Sequence, residues 1–219
     1  HYPLRRQRQM CIRDRFLWTY AAAKTCKYLT KIIISSESTK VLNIAKRYGY
    51  EGDYIRPKKL THDKYTNSHV VYDVLKNQRK LGFNYDHVVL LQPTSPIRKK
   101  NSLTNFIKNY LTLNYKSGLS IKGPIYKKYD FLGLVKKNRF IALDKNLKNK
   151  KLYSPSASIY ISNVKDFLNK KKFFINPIYS FLINAFETID IDYKNDFRIA
   201  ELILKNKLVK VNYLKKIII

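Results

Sequence analysis

Asp190 and Asp192 stand two apart in Ile189-Asp190-Ile191-Asp192. On an extended strand that spacing sends both carboxylates to one side and both isoleucines to the other. Paired carboxylates at a strand end suit a hard cation such as Mg²⁺, which keeps several waters and takes phosphate oxygens as further ligands. The pair also sits in an acidic island. Glu187, Asp190, Asp192, Asp196 and Glu201 are five of the 15 acidic residues in a chain with 44 Lys and Arg. The same residues are compatible with a solvated strand end followed by a helix whose first turn accepts Asp.

A second candidate is Leu-Gln-Pro-Thr-Ser-Pro-Ile-Arg, from Leu91 to Arg98. Pro93 and Pro96 fix the local backbone. The turn they stiffen holds Gln92, Thr94, Ser95 and Arg98, which offer amide, hydroxyl and cationic contacts to a polar ligand. As structure alone, it is a proline turn that ends a strand, with Ser95 or Asn101 near a helix start. Other chemistries find no support. His62, His69 and His87 lack metal-ligand spacing with one another or with cysteine. GxSxG, HExxH and CxxC are absent, and Gly49 and Gly52 are the only close glycine pair, so no glycine-rich phosphate loop is present.

The elements that must position these groups alternate along the chain. Trp18, Ala22, Cys26 and Leu29 recur at roughly helical spacing, and Ile32–Ile34 then reads as a buried strand ending at Ser35 and Ser36. Val41, Ile44, Ala45 and Tyr48 predict an amphipathic helix stopped by Gly49. Pro57 marks a loop over Glu51–Asp63, and Val71, Val74 and Leu75 mark a helix up to about Lys80. Val88–Leu91 predicts a second buried strand, and Leu103, Phe106, Ile107, Tyr110 and Leu111 a helix. From residue 116 short β-prone pieces (Gly118–Ile121, Phe131–Val135, Ser158–Ile161) predict a β-rich insertion, taken to span 116–185. Ile189–Asp192 predicts a last strand, and Phe197, Ala200 and Leu204 a closing helix. Strand, helix, strand, helix at these lengths predicts an α/β fold with a mostly parallel sheet. Ligands gather outside the carboxyl ends of such strands, where Ser35–Ser38, Gln92–Arg98 and Asp190–Asp192 all fall.

Composition bounds the rest. The chain has 219 residues, 45% hydrophobic, with 18 Tyr and 11 Phe, which is ample for the core of one domain and excludes a disordered polycation. Its longest apolar runs are far too short to span a bilayer. Two cysteines, Cys11 and Cys26, cannot build a disulfide framework and predict a reducing compartment, which the resemblance described below implies is the cytoplasm. The formal charge of +29 raises nucleic-acid binding as the alternative function. Its distribution speaks against that reading. Residues 1–15 contain five arginines and no lysine, whereas the other 204 residues hold six arginines and 33 lysines. Residues 1–15 therefore read as a foreign, non-native segment, and 16–219 as a single domain. The lysines of that domain scatter through every segment alongside Asn, Ile, Tyr and Phe, the residues of AT-rich codons.

Taken together, KIIISSES, a helix ending AKRYG, RPKKLTHD, LQPTSPIR and IDIDYKNDFRIAE resemble the acylneuraminate cytidylyltransferases, the CMP-sialic acid synthetases and their relatives. The resemblance runs in order from about Phe16 to Leu204. It implies a Rossmann-like nucleotide-diphosphosugar transferase fold. The implied reaction joins CTP to a nine-carbon keto-sugar acid of sialic, legionaminic or pseudaminic type, with Mg²⁺ as cofactor and pyrophosphate as second product. It further implies a homodimer contacting through 116–185 and a role in cell-surface polysaccharide synthesis, away from the membrane. Asp190 and Asp192 match the metal-binding aspartates, and Gln92 the glutamine beside nucleotide and sugar. Gln92 and Asp192 would be the catalytic pair; Arg56, Thr94 and Ser95 would help bind substrate. LQPTSP points away from the 3-deoxy-manno-octulosonate enzymes. Two departures stand out. Residues 1–15 occupy the place of the family's first strand and basic glycine-containing phosphate loop, which implies low activity. Ser156-Ala157-Ser158-Ile159-Tyr160-Ile161 stands where Asn-Gly-Ala-Ile-Tyr-Ile is expected, which leaves the sugar acid open.

Overall fold

The computed structural model describes residues 15–125, 133–136, 139–142 and 152–211. Residues 1–14, Lys145–Lys151 and Lys215–Ile219 lie outside them. The first helix, α1 (15–24), buries Leu17, Tyr20 and Ala23 at helical spacing, with Thr19 and Ala22 beside them. Residues 31–36 follow outside any helix, and Ile32–Ile34 carry no ladder, unlike the strand expected there. Ile32 and Ile34 pack instead on a cluster of Tyr20, Leu42, Ala45 and Tyr50. Leu42 and Ala45 belong to α2 (Thr39–Arg47), after which Gly49 turns the chain at φ +79°.

Helix α3 (Asn67–Lys80) starts from a capping box in which the Thr66 amide donates to His69 Nδ1 at 3.1 Å. That gives one of the three candidate histidines a structural task. Next come β1 (His87–Leu91), α4 (Ser102–Leu113), β2 (Ser117–Ile125), β3 (Gly133–Lys136), β4 (Arg139–Ala142) and β5 (Leu152–Asn163). The chain continues through α5 (Val164–Lys170), β6 (Ile178–Leu182), a 3-10 turn (Ala185–Thr188) and α6 (Lys194–Lys205).

The main sheet has the order β1-β5-β2-β6. β5 runs antiparallel to both β1 and β2, while β2 and β6 are parallel, so three strands share a direction and the sheet is mixed. Period-2 alternation covers both faces. Val89 and Leu91 meet Leu103, Phe106, Ile107 and Tyr110 of α4, while Val88 and Leu90 meet Val71 and Leu75 of α3 and Phe167 of α5. β2, β5 and β6 are thus strands of the main sheet; the excursion within 116–185 is the β3–β4 hairpin. Gly118 is a packing glycine, since a Cβ there would lie 3.0 Å from Ile161 Cγ2. Among the described residues no helix is long and apolar enough to cross a membrane.

Candidate active site

β1 runs out at Leu91, and Pro93 and Pro96 then turn the chain inward, burying Ser95, Ile97 and Arg98. The Ser95 amide donates to the Gln92 carbonyl at 3.3 Å and closes the turn. Gln92 and Thr94 are left half-exposed on a trough of about 970 Å³. Ser35, Ser36, Glu37 and Arg56 line the same trough. Three of the sequence-derived candidates, Arg56, Gln92 and Thr94, therefore share one depression at the carboxyl end of β1.

Arg56 is held from two sides. Its amide donates to the Ser36 carbonyl at 3.0 Å, and its guanidinium pairs with Glu37 Oε2 at 2.7 Å. Nearby, Tyr54 donates its hydroxyl to Asp73 Oδ2 at 2.7 Å, and burial together with that carboxylate pushes the phenol well above its ordinary pKa.

The aspartate segment reaches this turn across nearly a hundred residues of sequence. Ile189–Asp192 forms no strand; Ile189 is extended at φ −64° and ψ 120°, Asp192 lies in a bend, and the segment is outside any ladder. It is fastened by the Ile191 amide donating to the Thr94 carbonyl at 2.8 Å and by Arg15 Nη1 donating to the Ile191 carbonyl at 2.6 Å. Ile191 itself is buried against Ile97, Ala200 and Ile203, which turns the flanking aspartates outward as alternation requires. Asp190 is half-buried and accepts from Ser95 Oγ at 3.4 Å; Asp192 is exposed. Burial, and secondarily the Asp190 charge, raises the pKa of Tyr160.

Two of the turn's polar side chains face inward. Ser95 is 0% exposed and donates its hydroxyl to Asp190. Arg98 is 1% exposed, which removes it from the ligand surface. Its Nη1 donates to Thr19 Oγ1 at 3.1 Å, and its Nη2 donates to the carbonyls of Gln92 at 3.1 Å and Ser158 at 3.0 Å. The Ser158 carbonyl is available because β5 bulges there. The β2–β5 register shifts between Leu119 and Ile121, and Ala157 sits at φ +58°. Ser120 Oγ stitches the bulge to β2 through Ser156 Oγ at 2.6 Å and the Ile159 amide at 3.0 Å.

Sequence reading missed Glu37 as the partner of Arg56, although it lies in the segment assigned to a strand's carboxyl end. It also missed Arg15, grouped with the first fifteen residues, which opens α1 and ties down Ile191. Asp190 and Asp192 offer oxygen only, and among the described residues no group of three or more His, Cys, Asp or Glu could hold a metal. The donor set fits a hard cation completing its shell with water and phosphate, not a closed protein cage.

Known proteins similar to the chain are cytidylyltransferases and related synthases. The chain is 28% identical over 193 residues to the CMP-N,N'-diacetyllegionaminic acid synthase of Legionella pneumophila, covering 85% of the chain and 83% of that protein. It is 27% identical over 216 residues to the N-acylneuraminate cytidylyltransferase of Escherichia coli, covering 93% of the chain but 49% of that longer protein. Among solved structures, a 4-diphosphocytidyl-2C-methyl-D-erythritol synthase superposes with a TM-score of 0.64 at 10% identity, over 88% of this chain and 90% of that one, which bears on the fold. The pattern of the family described as cytidylyltransferase matches residues 16–217, and the chain belongs to that family.

Proposed function

We propose that the protein transfers CMP from CTP to a nine-carbon keto-sugar acid of sialic, legionaminic or pseudaminic type. The anomeric hydroxyl oxygen bonds to the α-phosphorus, the bond from that phosphorus to the bridging oxygen of the β-phosphate breaks, pyrophosphate leaves, and the hydroxyl proton passes to water. The observation that supports this most is the joining of the Gln92–Thr94 turn to the Asp190–Asp192 segment at one end of β1. Gln92 and Thr94 would orient polar groups of the substrates, and Arg56 would face the nucleotide. Asp190 and Asp192 would hold Mg²⁺, which when bound neutralises charge on the phosphates. The Ser95 hydroxyl fixes the Asp190 carboxylate, so that aspartate enters the reaction oriented. In this reading the enzyme is a cytoplasmic homodimer, with the 116–185 region at its interface.

The test is pyrophosphate release from CTP with N-acetylneuraminate and with legionaminate-type and pseudaminate-type acids. It is run on the chain, then on the chain with a basic glycine-containing loop and its strand placed ahead of Phe16. Turnover at least tenfold higher in the extended chain, with one acid preferred, is the expected result. No turnover by either protein with any acid would overturn the assignment.

A further inference from the structure

One member of the acidic island faces away from any ligand. Glu187 is 2% exposed and is the only buried acidic side chain among the described residues. No Lys, Arg or His side chain pairs with it among those residues. Burying a carboxylate without a cation is costly unless other donors replace its water. Each of its oxygens has such a donor. Oε1 accepts from the Lys99 amide at 2.7 Å, and Oε2 accepts from the Asn184 amide at 3.3 Å. The second bond is local, the return half of a capping box on the turn Ala185–Thr188. The first spans 88 residues of sequence, to the chain just beyond the Gln92 turn.

That long-range bond is the last of a series. The Thr94 carbonyl accepts from Ile191, Ser95 donates to Asp190, and Lys99 donates to Glu187. Residues 94–99 and 187–191 therefore pass each other in opposite directions. The Ser95–Asp190 contact, at 3.4 Å, is long for a hydroxyl donor and cannot set a backbone position alone. The Lys99–Glu187 bond, at 2.7 Å, is the shortest of the three. On the other side of the aspartates, Asp196 Oδ2 accepts from the amides of Asp192 at 3.1 Å and Tyr193 at 2.8 Å. Two further acids of the island thus hold the backbone on either side of Asp190 and Asp192. Asp196 does so within the start of its own helix; Glu187 is the one that crosses to the Gln92 turn. We propose that Glu187 is a positioning residue. Through the Lys99 amide, its carboxylate sets where the Ile189–Asp192 segment lies against the Gln92 turn and so keeps both aspartates at the candidate site. The chemistry it serves rests on the nucleotidyl-transfer reading; the bond itself does not.

The experiment compares variants of the isotope-labelled full chain, with Mn²⁺ as the probe. Glu187→Met removes both acceptors, whereas Glu187→Gln keeps one oxygen for the Lys99 amide. In the parent, Mn²⁺ should broaden the amide resonances of Asp190 and Asp192. Glu187→Met should raise the Mn²⁺ concentration for half-broadening about tenfold. Hydrogen exchange at the Lys99 and Ile191 amides should quicken roughly tenfold in the same variant. Glu187→Gln should stay within about twofold of the parent in both readouts, since the bond rather than the charge does the positioning. Phe106→Leu, which loosens the core under α4 away from the segment, should lower the melting point and move neither readout. In the extended chain, Glu187→Met should raise the Mg²⁺ concentration at half-maximal turnover about tenfold, with kcat at saturating Mg²⁺ nearly unchanged. Unchanged Ile191 exchange in Glu187→Met, an equal loss in Glu187→Gln, or the same shifts in Phe106→Leu would each overturn the proposal. Mn²⁺ that broadens neither aspartate in the parent would refute their metal role instead, and Ile191 exchange would still decide whether Glu187 positions the segment.

Discussion

Replacing Arg98 by Met should lower the stability of the whole domain. The guanidinium is 1% exposed and joins α1, the Gln92 turn and the β5 bulge through Thr19 Oγ1 and the carbonyls of Gln92 and Ser158. Methionine fills much of the stem's volume but donates nothing, so both carbonyls lose this donor. Each such loss costs roughly 1–3 kcal/mol, partly offset because a buried charge disappears with it, which sets the net loss at about 3 kcal/mol. For a domain of this size that corresponds to a fall in Tm of roughly 6–12 °C, readable by calorimetry or by circular dichroism. Arg98→Lys separates charge from geometry. An ammonium keeps the charge but cannot fork to three acceptors, so its melting point should fall between parent and Met variant. A Met variant melting within about 1 °C of the parent would refute the account of Arg98 as the tie between these elements.

Three further outcomes follow from the site and the bulge. Asp192→Asn should remove most Mg²⁺-dependent turnover in the extended chain described above while leaving the melting curve in place, since Asp192 is exposed; an unchanged rate would count against its metal role. Ala157→Gly should raise stability by about 0.5–1 kcal/mol, because relief of a left-handed alanine outweighs the added unfolded-state freedom of glycine. Ala157→Val should destabilise, and denaturant midpoints check both. Arg56→Met should raise the KM for CTP severalfold with little change in kcat. Its ion pair with Glu37 is partly solvated, so stability should fall by no more than about 1 kcal/mol; a loss confined to kcat would contradict a binding role.

Much of the scaffold was legible from periodicity. The Val71–Leu75 and Leu103–Tyr110 patterns mark α3 and α4 because amphipathic stripes report which face meets the sheet. Val88–Leu91 marks β1, although its residues are only half-buried, with a ladder on one side alone among the described residues. Ile32–Ile34 and Ile189–Asp192 show the limit of the method. Both have strand-like sequences, yet a ladder needs a partner that local pattern cannot supply. β2 and β5 escaped assignment to the main sheet for a related reason, since their pairing links residues far apart and is interrupted by the bulge at Ala157. At the candidate site, Gln92, Thr94, Asp190 and Asp192 were singled out because their types and spacing are chemical signals. Glu37 and the inward turn of Ser95 and Arg98 were not, because only packing decides whether a polar side chain greets solvent or ties the backbone.

The aspartate segment is tied to the turn after β1 by the Ile191 amide on the Thr94 carbonyl and the Ser95 hydroxyl on Asp190, and to α1 by Arg15 on the Ile191 carbonyl, not by a ladder. A strand in mid-sheet leaves only when its neighbours unzip; this segment needs to break a few local bonds and to lift Ile191 out of its packing against Ile97, Ala200 and Ile203. Its opening free energy is therefore decoupled from that of the sheet, and it belongs to the low-stability end of the molecule's opening hierarchy. Under mild urea the carboxylates should swing away while α4 and β5 remain folded, so metal-dependent function would fade before the far-ultraviolet signal does. In the proposed reaction a pyrophosphate product would leave by such a local excursion while the core stays intact.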